Sequence, residues 1–158
     1  ESVEGVSVST SLAKQKVAER QAEAATKFLR ARGYTPEIDV VYDRSNPAQK
    51  GSSIVLWAKT NKGALLGADA IGERGKPSEA VGREAAENLL KETEVKATVD
   101  VHLADMLIPY IALAKAPSTY LVREITDHIE TNVWLTEKIL DVNFQVKKAG
   151  NLYRLSKP

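Results

Sequence analysis

Between residues 13 and 32 the apolar side chains recur at helical spacing, with Val17, Ala24 and Phe28 on one stripe and Ala18, Ala25 and Leu29 on the adjacent one. Gly33 supplies a C-terminal stop. The flanking segments have the other period. Val6, Val8 and Thr10 alternate with Ser7 and Ser9, and Ile38, Val40 and Tyr42 alternate further on, each in the manner of a half-buried strand. An amphipathic helix held between two strands commits the chain to a mixed α/β (α+β) fold.

The pattern continues after a loop over residues 44–52, which carries Asn46-Pro47 and Gly51. Strands over residues 53–60 and 64–71 form a hairpin, because Gly63 in the Asn61-Lys62-Gly63 turn can take the positive φ that a tight turn needs. A glycine-rich loop, Gly72-Glu73-Arg74-Gly75-Lys76-Pro77, then leads to a helix from Ser78 with Val81, Ala85 and Leu89 four apart. The first part therefore reads βαβββα.

After Thr93 the texture changes, and a charged stretch over residues 93–98 marks a soft boundary. Asp100 caps a helix with Leu103, Leu107 and Ile111 on one stripe. Residues 118–124 read as a strand. A second helix runs over residues 128–140 with Asp127 as N-cap and Glu130 at capping-box spacing. Residues 142–147 and 152–156 close the chain as a hairpin around Ala149-Gly150-Asn151. This second part reads αβαββ.

Composition removes several function classes. The 158 residues contain no cysteine, so disulfides, thiolate catalysis and Cys-ligated zinc are excluded. The longest apolar run, over residues 106–113, contains Pro109 and falls short of the roughly 18 to 20 residues of a membrane span. The net charge of +1 says little about partners, since phosphate binding depends on local Lys and Arg clusters. The chain opens at Glu1 within a strand-like segment and is expected to be a piece of a longer protein.

Few side chains stand out for chemistry. The two histidines, His102 and His128, belong to no metal-ligand pattern, so no metal site is expected from this chain alone. His102 reads locally as a surface or capping histidine. His128 sits where free N–H groups and the positive helix end converge, a place that suits phosphate. The same field disfavours imidazolium and so favours a nucleophilic ring nitrogen, although an ordinary first-turn histidine has the same local signature. Asp105 precedes Pro109 by four residues; Pro109 has no N–H for the Asp105 carbonyl, so a kink is expected and both polar groups of Asp105 can face a pocket. The Gly72 to Pro77 loop lacks the spacing of a Walker or dinucleotide loop. It reads as a turn that orients Glu73, Arg74 and Lys76 for salt bridges. The basic residues of the first helix read as a solvated face first and an RNA contact second.

Four segments resemble RNA 3'-terminal phosphate cyclases, in the order found in that family. They are Val17-Ala18-Glu19-Arg20-Gln21, the long stretch from Gly67 through Pro77, Val99-Asp100-Val101-His102-Leu103-Ala104-Asp105, and His128-Ile129-Glu130-Thr131-Asn132. The similarity covers the C-terminal part of a family member. It implies a small α/β insert domain over residues 1–95, followed over residues 96–158 by the last βαβαββ-type repeat of the catalytic core. It also implies that His128 attacks the α-phosphorus of ATP, aided by a divalent metal (magnesium or manganese). AMP then passes to an RNA 3'-phosphate, and the neighbouring 2'-hydroxyl closes a 2',3'-cyclic phosphate. By the same resemblance, His102, Asp105 and Met106 lie at the nucleotide. Met106 stands where the family often has glutamine, and a thioether cannot replace those hydrogen bonds. The implied partners are RNA with a 3'-terminal phosphate and an N-terminal half that supplies the phosphate-binding cations, so this stretch alone is not expected to complete the reaction. A cytoplasmic setting is expected, with no membrane. The alternative reading is a non-enzymatic cyclase-like protein of RNA processing or ribosome assembly, against which the presence of His128 argues.

Overall fold

The computed structural model describes residues 2–45 and 48–158, and the Asn46-Pro47 pair of the expected loop lies outside them. The chain divides into two compact units, Glu1–Lys91 and Glu92–Pro158.

In the first unit the strands are β1 (Ser2–Thr10), β2 (Thr35–Asp43), β3 (Gly51–Lys59) and β4 (Leu65–Ile71). They form one sheet in the order β2-β1-β3-β4, with β1 and β2 parallel and the remaining pairs antiparallel. The helices are α1 (Val17–Arg30) and α2 (Ser78–Glu94). The expected order βαβββα is therefore present. The β3–β4 turn places Gly63 at φ 84°, as the hairpin requires.

Two local differences have physical causes. The helix expected from Ala13 is interrupted, because Ala13–Gln15 closes a separate 3-10 turn and Lys16 adopts a left-handed φ of 48° before α1 begins. In β1 the strand forms, but the fully buried row is Val3, Gly5, Ser7 and Ser9 rather than Val6, Val8 and Thr10. Ser7 is accommodated there because its hydroxyl donates to Gln21 Oε1 at 3.0 Å, and the Gln21 amide donates to Ser52 Oγ at 2.9 Å. A buried polar chain satisfied in this way avoids the desolvation cost of lone hydroxyls.

The core of this unit lies on that face of the sheet. Ile54 and Leu56 of β3, Ala25 and Leu29 of α1 and Val81, Ala85 and Leu89 of α2 form one cluster, most of them with no exposed area. The three α2 positions are those that the four-residue spacing selected. The opposite face bears Val41, Val55, Leu65 and Ile71, all exposed.

The second unit contains α3 (Val101–Met106), α4 (Ile108–Leu113), β5 (Ser118–Val122), α5 (Asp127–Leu140), β6 (Gln145–Ala149) and β7 (Leu152–Lys157). Its three strands are antiparallel in the order β5-β7-β6. The kink expected at Pro109 is a break that separates α3 from α4. β6 begins three residues later than expected, because the Phe144 N–H donates to Glu137 Oε1 at 2.7 Å and Asp141 ends α5 in the left-handed region. Ile108, Tyr120, Val122, Ile129 and Leu155 centre its core.

Candidate active site

The site is built where α3 ends and α5 begins. Asp100 caps α3, its Oδ1 accepting from His102 N at 3.1 Å and Leu103 N at 2.8 Å. Asp105 follows one turn later, on the last turn before the break. At α5 the N-cap is Thr126 rather than Asp127: Thr126 Oγ1 accepts from Ile129 N at 3.2 Å. The expected box with Glu130 therefore does not form, since Glu130 falls one position too far along the helix. His128 becomes the second residue of the helix. Buried Ile129 beside it anchors the turn in the core.

This geometry brings two of the four selected residues together. His128 Nδ1 lies 4.0 Å from Asp105 Oδ2; the imidazole is 83% exposed and the carboxylate side chain only 20%. Asp105 is thus held by the protein while His128 faces outward. Met106 is adjacent in sequence and 64% exposed, with no polar group to offer. His102 is exposed, and among the described residues its ring has no hydrogen bond or ion pair with Asp105 or His128.

Two further residues bond to the backbone of α3. Asn132, one turn after His128, donates through Nδ2 to the Asp105 carbonyl at 3.5 Å. That carbonyl is the one that Pro109 leaves without its helical donor. Tyr120 is buried, and its hydroxyl donates to the neighbouring Ala104 carbonyl at 2.5 Å. Burial holds its phenol far above the ordinary value, and the Asp105 charge adds to the shift, so it remains a neutral donor. Asn132 could have been found in sequence from its four-residue spacing to His128. Tyr120 sits in a strand, and no sequence signal aims it at α3.

Chemically, an exposed imidazole beside a half-buried carboxylate, at a helix end where the Thr126 cap takes Ile129 N but not the Asp127 and His128 N–H groups, suits nucleophilic attack on a phosphate. Among the described residues no group of three or more His, Cys, Asp or Glu side chains could hold a metal ion. Among the same residues, no helix is long and apolar enough to cross a membrane.

Residues 1–94 match the family described as RNA 3'-terminal phosphate cyclase (RTC), insert domain. The chain belongs to the RNA 3'-terminal phosphate cyclase family. It is 45% identical over 156 residues to the RNA 3'-terminal phosphate cyclase of Methanosarcina mazei, which is 99% of this chain and 42% of that relative. The cyclase of Pyrobaculum neutrophilum is 45% identical over 137 residues, covering 87% of this chain and 39% of the relative. That of Methanopyrus kandleri is 41% identical over 151 residues, covering 93% and 43%. The chain thus spans about two fifths of the length of these curated relatives.

Proposed function

We propose that the chain is the part of an ATP-dependent RNA 3'-terminal phosphate cyclase that carries its nucleophile, His128. The observation that carries this reading is the placement of an exposed His128 beside Asp105 at the N-terminus of α5, in a chain of this family. In the proposed reaction a ring nitrogen of His128 bonds to the α-phosphorus of ATP as the bond to pyrophosphate breaks. The RNA 3'-phosphate oxygen next takes the AMP group and frees the imidazole. The 2'-hydroxyl then attacks the activated phosphorus, loses its proton and releases AMP, leaving the 2',3'-cyclic phosphate.

The residues present support defined parts of this sequence. Closing the 4.0 Å gap by about 1.1 Å would bring Asp105 within ordinary N–H···O distance of Nδ1. That contact fixes the tautomer and leaves Nε2 unprotonated and pointing outward as the nucleophile. The Asp127 and His128 N–H groups, which the Thr126 cap does not take, would receive a phosphate oxygen. A divalent metal bound with the nucleotide would neutralise charge at the leaving group. Asp105 lies close enough to the nucleophile in space to contact the nucleotide and exposed Met106 follows it on the same turn, whereas His102, whose ring has no hydrogen bond or ion pair with Asp105 or His128 among the described residues, is the weakest member of the proposed set.

The domain assignment follows the same reading, with an insert domain over residues 1–95 and a core repeat over 96–158. The remaining polypeptide of a cyclase is the proposed partner. Exposed apolar side chains of the second unit, Tyr110 and Leu113 on α4 and Trp134 and Ile139 on α5, support this, since they offer it an apolar surface to cover. The cytoplasm is the proposed setting of the reaction.

The test is to incubate a full-length polypeptide carrying this sequence with ATP labelled at the α-phosphate and a divalent metal. Acid-labile label that disappears in His128→Ala is expected. Label retained by the variant, or no label with active-site-competent protein, refutes the reading.

A further inference from the structure

The Gly72 to Pro77 loop is left without a role by the site around His128. It borders a cleft of about 600 Å³ in the first unit, at the N-terminal ends of α1 and α2. We infer that this cleft binds the phosphodiester backbone of the RNA substrate, with Lys50 and Arg74 as its principal contacts. The identity of the ligand rests on the cyclase reading; the case for a phosphate site rests on the cleft itself.

The lining carries three cations, Lys50, Arg74 and Lys76, against one acid, Glu73. The salt bridges expected of the loop form only in part: Lys76 pairs with Glu84, while no ion pair engages Lys50 or Arg74 among the described residues. Elsewhere in the unit, Arg20 and Arg83 are held by Glu79 and Glu87. Two cations left unpaired on one concave wall are available to an anion.

The floor of the cleft adds neutral donors. Gln21 lines it with no exposed area, and its amide donates one proton to Ser52, leaving the second uncommitted among the described hydrogen bonds. Because Ser52 Oγ accepts that bond, its own hydroxyl proton is free for a ligand. Ser78, the buried first residue of the 17-residue α2, completes the wall. The first intrahelical acceptor there is the Pro77 carbonyl, taken by Ala80 and Val81, so the Ser78 N–H precedes the helix ladder. Fixed donors and mobile cations on one wall match a phosphate oxygen set.

Charge is also segregated across this unit. On the sheet face away from the helices, the register sets Asp39, Val6, Val55 and Asp69 in one row and Glu37, Glu4 and Trp57 in the next. That face repels a polyanion, so RNA is directed to the helix side where the cleft opens.

The test uses the 158-residue chain and a labelled single-stranded RNA of about 15 nucleotides, followed by anisotropy across a salt series. Each lost phosphate contact lowers the salt slope by about 0.7, so Lys50→Ala with Arg74→Ala should lower it by about 1.4 and weaken binding about 25-fold at 0.1 M salt. Lys62→Ala, in the β3–β4 turn, should change binding less than about twofold on the same scale. Amide shifts of Gly51, Gly72 and Gly75 on RNA addition give a readout that needs no variant. Unchanged affinity in the double variant, or shifts that avoid these amides, overturns the inference. Equal shifts with ATP or inorganic phosphate alone overturn the assignment to RNA. The two readings fail separately, because label retained in His128→Ala refutes the chemistry and leaves the cleft measurement standing.

Discussion

Gly82 lies in the middle of α2, where replacing glycine by alanine ordinarily stabilises a helix by about 1 kcal/mol. The opposite sign is expected here. A Cβ at this position would lie 2.0 Å from the Gln21 carbonyl oxygen, 2.8 Å from its carbon and 3.0 Å from its Cα. An acceptable carbon–oxygen contact is about 3.3 Å, so α1 and α2 would have to separate locally by about 1.3 Å. Overpacking of this kind costs about 1–3 kcal/mol, and the upper value applies because the obstructing atoms are backbone and cannot rotate away. Subtracting the propensity gain leaves a net loss of about 2 kcal/mol. For a unit of this size that corresponds to a fall in Tm of about 8–16 °C. The assay is a thermal melt of Gly82→Ala in a Trp134→Phe background, where Trp57 fluorescence reports the first unit alone. An unchanged or higher Tm would refute the close approach of the two helices.

Other expectations follow from single contacts. Asp105→Asn keeps the side-chain volume and removes the charge facing Nδ1; His128 labelling should slow by about 10- to 100-fold, and an unchanged rate would show that Asp105 does not orient the ring. Thr126→Ala removes the cap of α5 and should cost about 1 kcal/mol, seen in the Trp134-reported melt of the second unit. Burial raises the Glu92 carboxyl above its ordinary value of 4.5; the Arg123 ion pair at 3.2 Å opposes the shift, and the Asp100 charge adds to it. The folded state therefore binds this proton more tightly than the unfolded chain, so the contribution grows as pH falls toward 4.5 and is lost as pH rises through the folded value. Glu92→Gln should remove that slope, so the difference between the two urea-midpoint profiles should change with pH across this window, and parallel profiles would refute it.

Much of the architecture was legible because it rests on local periodicity. The spacing of Val81, Ala85 and Leu89 identified the buried face of α2, and the Gly63 turn located the first hairpin. What the pattern could not show was which face of β1 is buried. That choice depends in part on Gln21, distant in sequence, which satisfies Ser7 and so lets its hydroxyl sit in the buried row. The same holds at α5, where Thr126 and Asp127 are both good caps by residue type and backbone geometry decides between them. At the site, Asp105 was visible through Pro109, and the meeting of Asp105 with His128 followed from how α3 and α5 pack. Tyr120 was invisible, because a strand residue gives no local sign that its hydroxyl reaches a helix carbonyl.

Pro109 has no polar side-chain group to offer Asp105 or His128, yet it bears on the helix that carries Asp105. By withholding one donor it ends α3 at the right residue and leaves the Asp105 carbonyl for Asn132. The N-terminal part of α5 is thereby latched to the preceding helix through a backbone oxygen rather than a side chain. Any residue at 109 with an N–H could reclaim that oxygen for a continuous helix, unlatch Asn132 and let the carboxylate swing away from the imidazole. Position 109 is therefore a place where the meeting of Asp105 with His128 can be altered without changing either side chain.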